Sequence, residues 1–224
     1  MNENNHTDSC TVLITGFEPF GEDTINPSYE AVRLMPEEIC GAAIIKERLP
    51  VVFGEAADQL QSMIDRYHPD IVICTGLAGG RKGITPELLG RNRMEARIPD
   101  NRGNQPQGAA IETDGREERI STLPVQAMVD RMRDAGLPAE VSHSAGTFVC
   151  NEVLYRLLGM TSGRNIMAGF IHVPCIPGMQ DAQPTMELQE IARALEICVE
   201  TAIRVRRGDV IITERVPEED FTTL

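Results

Sequence analysis

Tryptophan is absent from this 224-residue chain, and aromatic residues are scarce, at six phenylalanines and three tyrosines. With so few rings, the position of each phenylalanine is informative about packing or about a site. Basic residues are also short. There are 21 Lys and Arg against 34 Asp and Glu, a net charge of −13, and the only lysines are Lys46 and Lys82. This balance argues against a nucleic-acid partner, because phosphate binding needs a basic surface. No apolar run approaches the roughly 18–20 residues of a membrane-spanning helix, and residues 1–9 carry no hydrophobic region of a signal peptide. Cys10, Cys40, Cys74, Cys150, Cys175 and Cys198 lack CxxC spacing, and His6, His68, His143 and His172 form neither an HExxH pair nor a Cys/His cluster. Neither a GxSxG elbow nor a GxGxxG fingerprint is present, since Gly76-Leu-Ala-Gly-Gly80 has different spacing. The expectation is a reduced, cytoplasmic protein with no disulfide framework, no metal and no cofactor, bound to neither membrane nor nucleic acid.

What the chain does contain is alternation. Thr11–Thr15, Ile71–Cys74 and Met167–Val173 read as short buried strands, and residues 42–53 as extended. Asn26-Pro27 is an N-cap followed by proline at the first helical position, which opens a helix to about Met35. A second helix carries Ala57, Leu60, Ile64 and Tyr67 on one face and stops at Pro69. Others begin near Pro124 and run over Cys150–Leu158 and Pro184–Arg206, and Ala139–Val141 reads as a brief strand. Strands alternating with helices of this length predict one α/β domain over residues 1–224, with a mostly parallel twisted sheet covered on both faces. Residues 1–9 and 217–224 are expected to be flexible tails. Residues 84–123 break the alternation, being polar and rich in Gly, Pro, Asn and Arg. A stretch that long is expected to line a site, include a hairpin or carry subunit contacts.

The sharpest chemical signal is Ser144-Ala-Gly-Thr-Phe-Val-Cys150-Asn151, where a turn delivers a cysteine to a helix start. There the helix dipole and unpaired amides favour a thiolate and can hold an oxyanion. A buried structural cysteine fits the same residues. A thiolate nucleophile needs a proton shuttle. His172, at the end of the strand Gly169-Phe-Ile-His-Val-Pro174, competes with His143 for that role, and a hydrogen-bonded core histidine is the alternative. A carboxylate would orient the imidazole; Glu87 follows the glycine loop, with Asp100 and Asp114 as competitors.

Six segments in order resemble the pyroglutamyl peptidase I family of cysteine exopeptidases, also called pyrrolidone-carboxylate peptidases. They are Thr15-Gly-Phe-Glu-Pro-Phe-Gly21, Asn26-Pro-Ser28, Ala78-Gly-Gly-Arg81, Ala96-Arg-Ile-Pro-Asp-Asn101, Ala145-Gly-Thr-Phe-Val-Cys-Asn151 and Gly169-Phe-Ile-His-Val-Pro174. The resemblance implies a single α/β/α sandwich that removes N-terminal pyroglutamyl groups from peptides through a thioester. It makes Cys150 the nucleophile, His172 the general base and acid, Glu87 the residue that orients His172, and Arg97 a support for the oxyanion. Homodimers or homotetramers are common in the family. Two positions depart from its pattern: Leu77 stands where glutamine is usual, and Arg91 where an apolar residue is usual.

A pyroglutamyl residue has no ammonium, so its site needs no anchoring carboxylate or metal, and neither is evident in the sequence. A flat neutral lactam wants apolar walls and one polar pair. Phe17, Phe20, Phe148 and Val149 are the expected walls, and the main chain at Leu77 the polar pair. The competing functions are a non-catalytic small-molecule-binding relative and an amidase acting on another acyl group.

Overall fold

In the computed structural model, which describes residues 10–179 and 184–209, the apolar runs become the centre of one sheet. The first half of the chain forms β1 (Thr11–Phe17), α1 (Pro27–Leu34), β2 (Glu38–Ile39), β3 (Ala42–Leu49), α2 (Glu55–Tyr67) and β4 (Ile71–Leu77). Five short strands follow: β5 (Thr85–Glu87), β6 (Leu89–Arg91), β7 (Met94–Glu95), β8 (Gln107–Ala109) and β9 (Glu118–Ile120). The chain then forms α3 (Val125–Asp134), α4 (Val149–Met160), β10 (Met167–Val173) and α5 (Leu188–Arg206).

The sheet order is β2-β3-β1-β4-β10-β5. The four inner strands are parallel, and the two edges, β2 and β5, run antiparallel. Side chains alternate in direction along a strand, which divides the core in two. Val12, Ile14, Ile71, Ile73, Ile171 and Val173 face α1, α3 and α5. Leu13, Phe17, Val72, Cys74, Ala168 and Phe170 face α2 and α4. Each buried Leu, Ile or Val contributes about 1.5–3 kcal/mol, so burial on both faces selects a three-layer α/β/α sandwich. The helix boundaries read at Asn26 and Pro69 hold. The Asn26 side chain accepts a hydrogen bond from Ser28 N at 3.1 Å, and α2 closes on His68 in the left-handed region, just before Pro69.

Three expectations need correction. The helix that carries Cys150 begins at Val149, one residue early, and extends to Met160. The last helix starts at Leu188 rather than Pro184, because Thr185 is held extended by a bridge to Cys175 and Glu190 accepts from Glu187 N. Residues 139–141 form no strand of their own. Instead Ala139 and Ser142 make single parallel bridges to Ile84 and Glu87. The tails read at 1–9 and 217–224 lie outside the described residues.

The 84–123 excursion does more than connect. β5 closes the sheet edge against β10, and the remainder folds into two antiparallel ribbons, the sequential β7–β8 pair and the β6–β9 pair around it. Asn151, one residue past Cys150, accepts from Arg91 N and donates to Arg91 O and Arg93 O at 2.8–2.9 Å. The start of α4 is thereby tied to β6.

Candidate active site

From β1 the chain turns to β3 on one side and later to β4 on the other, so β1 and β4 flank a topological switch point. Ligands of open α/β sheets bind at the carboxyl ends of strands at such a point. The β1–β4 register ends at Thr15–Cys74, and a cavity of about 390 Å³ opens beyond it. Its walls include Phe17, Phe20, Leu77, Arg97, Phe148, Val149 and Cys150, the pocket and nucleophile residues expected from the sequence. Phe17 is nearly buried and packs against Phe170 with ring centroids 6.3 Å apart. Phe148 is gripped between Phe20 at 5.3 Å and Phe53 at 5.1 Å.

Main-chain groups alternate in direction along β4. Ala78 N donates to Val173 O on the β10 side, so the N–H and C=O of Leu77 face the opposite side, toward the opening left by β1. The side chain at this position does not have to supply the polar pair, which makes leucine acceptable where glutamine is usual.

Below the cavity, His172 and Glu87 are both buried, and His172 Nδ1 lies 2.7 Å from Glu87 Oε1. This contact follows from topology: Glu87 pairs with Phe170 and Thr85 with His172 across β5 and β10. The imidazole packs on the Phe170 ring at 4.8 Å, and with Nδ1 occupied, Nε2 is left for proton exchange. On the neighbouring strand Gly76 is the register partner of His172. A Cβ at Gly76 would come within 2.9 Å of Cys150 Sγ. The thiol therefore sits over the bare backbone beside His172, and glycine is what leaves it room.

The competitors fall away. His143 and Asp114 are exposed. Asp100 is buried, but it accepts from Phe53 N, Arg102 N, Asn104 N and Asn104 Nδ2, which occupies it in pinning the 96–106 loop.

Electrostatics correct one expectation. The thiol of Cys150 is pushed up from 9.0 to about 12, first by burial, then by the charge of Glu87 and by Cys74. The residue keeps some surface on the cavity, but the protein packed around the sulfur and the nearby carboxylate outweigh the helix start. Its own N–H beside the sulfur and the charge of Arg81 act in the opposite direction. Burial also acts to raise Glu87, but its hydrogen bond to His172 and the His172 charge prevail, with help from Ser142 and Arg81. Glu87 is thereby held below its ordinary value.

Three residues went unassigned in the sequence reading. Phe53 backs Phe148, and as one of only six phenylalanines it was open to notice. Asp23 places a carboxylate on the cavity wall where none was expected, and no local pattern marks it. Arg81 stands inside a family segment and reaches Glu87 Oε1 at 3.0 Å. Among the described residues no group of His, Cys, Asp and Glu is arranged to hold a metal ion, and no helix is long and apolar enough to cross a membrane.

A sequence profile of the pyroglutamyl peptidase family matches residues 10–205. The chain belongs to this family. It is 47% identical over 197 residues to a pyrrolidone-carboxylate peptidase of Clostridium perfringens strain 13, covering 86% of this chain and 92% of that protein. A pyrrolidone-carboxylate peptidase of Streptococcus pneumoniae strain 70585 is 44% identical over 204 residues, covering 89% and 95%. Among solved structures, pyroglutamyl peptidase I of Bacillus amyloliquefaciens superposes with a TM-score of 0.83 at 45% identity, over 86% of this chain and 96% of that one. A mutant pyrrolidone carboxyl peptidase of Pyrococcus furiosus gives 0.83 at 37% identity, over 87% and 99%. The two departures from the family pattern differ in place, Leu77 lying on the cavity wall and Arg91 away from it. Leu77 presents its backbone, and Arg91 is exposed, paired with Glu118 at 3.1 Å across β6 and β9 and absent from the cavity wall.

Proposed function

We propose that this protein is a pyroglutamyl peptidase I that releases N-terminal pyroglutamyl groups from peptides through a Cys150 thioester. The observation that carries the reading is the buried Glu87–His172 pair, with His172 in register with Gly76, over which the thiol of Cys150 lies at the wall of a cavity lined by phenylalanine. Cys150 rests as a thiol and gives its proton to His172 as the sulfur attacks the pyroglutamyl carbonyl. The C–S bond forms, and negative charge collects on the carbonyl oxygen. The Cys150 N–H, in the first turn of α4 where a main-chain donor has no partner within the helix, stabilises that oxygen. Arg97 assists. It is exposed on the cavity rim, and no hydrogen bond or ion pair among the described residues restrains its guanidinium. His172 then protonates the leaving amine as the C–N bond breaks, and it activates the water that hydrolyses the thioester. Glu87 orients His172 through Nδ1 and offsets the imidazolium charge. Phe17, Phe20, Phe148 and Val149 hold the flat ring, and the Leu77 main chain pairs with its amide.

The same reading places the protein in the reducing cytoplasm, in keeping with free thiols at Cys10, Cys40, Cys74, Cys150 and Cys198. It also makes the protein a homodimer or homotetramer. Exposed Ile98 and Ile120, on the 84–123 excursion, offer apolar surface for such contacts, and light scattering reads the assembly directly.

The decisive experiment is release of a fluorogenic amine from its pyroglutamyl amide. Wild type is expected to turn over and to be inactivated by an alkylating agent, and Cys150→Ser to lose on the order of 10³-fold or more in kcat with its fold retained. Turnover that survives in Cys150→Ser overturns the nucleophile. A folded wild type that binds the amide without cleaving it points to the non-catalytic relative.

A further inference from the structure

Arg81 lies in the loop between β4 and β5, with its side chain largely covered. Its Nη2 is ion-paired with Glu87 Oε1 at 3.0 Å and donates to the main-chain oxygen of Ser144 at 3.0 Å. The same Oε1 takes Nδ1 of His172 at 2.7 Å. One guanidinium nitrogen therefore joins the carboxylate behind His172 to the turn that delivers Cys150. Nearby, Ser142 N donates to Pro86 O and Leu88 N to Ser142 O, which fastens residue 142 to β5. Beyond Ser142 the chain leaves that pairing; the Ser142 hydroxyl donates to Ser144 O and accepts from Ser144 N at 3.3 Å, and the Arg81 bond adds the link that joins Ser144 directly to Glu87.

We infer that Arg81 is a positioning residue for the reaction, holding the Glu87 carboxylate and the Ser144 turn as one unit so that His172 and Cys150 stay in register. The inference rests on the roles proposed above for Glu87, His172 and Cys150. Charge adds a second consequence. Glu87 is fully buried, and a buried carboxylate without a counter-charge is costly. The groups facing it are His172 from β10, Arg81 from its loop and the Ser142 hydroxyl; those facing Cys150 are Glu87, Cys74 and Arg81. Arg81 is thus the cation that tempers the field of Glu87 at the sulfur.

The test compares Arg81→Gln and Arg81→Lys with wild type, each alone and in a Glu87→Gln background. Kinetics on the pyroglutamyl amide are measured alongside the pH dependence of Cys150 alkylation by iodoacetamide. In Arg81→Gln, kcat is expected to fall on the order of 10- to 100-fold, as a misplaced catalytic group requires, with KM within about twofold. Its alkylation profile moves to higher pH. Arg81→Lys keeps the charge and the alkylation profile, but recovers only part of kcat because an ammonium lacks the planar fork. In the Glu87→Gln background, Arg81→Gln costs little more. Wild-type kcat in Arg81→Gln, or equal losses in both backgrounds, overturns the inference. Should Arg81→Gln fail to fold, the split between charge and tether in Arg81→Lys decides the matter. A wild type that cleaves no pyroglutamyl amide defeats the proposed function instead, while the alkylation profiles still report whether Arg81 acts on the thiol.

Discussion

The role proposed for Glu87 combines charge and direction, and substitution separates the two. Glu87→Gln keeps the shape and one oxygen toward His172 but removes the negative charge and permits the wrong imidazole tautomer. A comparable change in a serine triad costs on the order of 10⁴-fold, so kcat for the pyroglutamyl amide is expected to drop by about 10²- to 10⁴-fold with slow turnover remaining. Full activity would remove Glu87 from the mechanism. Gly76 is the complementary case, where a missing atom matters. A methyl there would lie 2.9 Å from both Cys150 Sγ and Phe170 Cζ, far inside normal contact. Gly76→Ala is expected to lower kcat by at least tenfold, by displacing the thiol on the scale at which misplacement is costly. Its circular dichroism should remain that of wild type. The turn before Cys150 and the strand of His172 were legible as local patterns. The upward push on the thiol was not, because it comes first from burial and then from Glu87 and Cys74, which are remote in sequence.

At the scale of elements, the 84–123 excursion builds one wall of the site. Its 96–106 loop carries Arg97 and is fastened by Asp100, whose carboxylate accepts from Phe53 N, Arg102 N and two donors of Asn104. Phe53 in turn backs Phe148. Asp100→Ala removes these bonds, and a hydrogen bond to a charged group contributes about 1.5–3 kcal/mol. The variant is expected to lose about that much stability in urea titration and to show a raised KM as Arg97 and Phe148 loosen. An unchanged KM would mean that the loop is held by other contacts. The hairpin expected in this region is the β7–β8 pair, enclosed by the β6–β9 ribbon, whereas the pairing of β5 with the edge of the main sheet is a tertiary contact that no local pattern announces.

For the whole molecule, buried and paired carboxylates set the response to acid. Burial acts to raise Glu87, Asp100 and Glu200, but hydrogen bonds and nearby charges outweigh it and all three lie below their ordinary values. Glu112 is lowered chiefly by its hydrogen bond to Arg119. A carboxylate depressed in the native state stabilises the fold above its unfolded value, near 4.5 for glutamate, and that contribution is lost as pH falls through the native value. Glu152 and Glu196 are raised by burial and act in the opposite sense. Scanning calorimetry from pH 7 to pH 3 is expected to show a Tm that declines below about pH 4.5. A Tm that holds or rises to pH 3 would show that Glu152 and Glu196 dominate.

The sequence by itself determined the inner strands of the sheet, the five helices to within a few residues at their ends and the layered class, because apolar periodicity and the Asn26, Pro27 and Pro69 signals are local and burial on two faces permits few arrangements. It also singled out Cys150, His172 and Glu87, though each alone had an ordinary structural reading. Only the tertiary structure brings the three together. Parallel register sets Gly76 beside His172, and the antiparallel edge strand brings Glu87 to the same imidazole. The structure also gave Asp100 to the loop and Arg81 to the site. These are contacts between residues far apart along the chain, and pairing at such range is fixed by strand order and register, which no local window of residues contains.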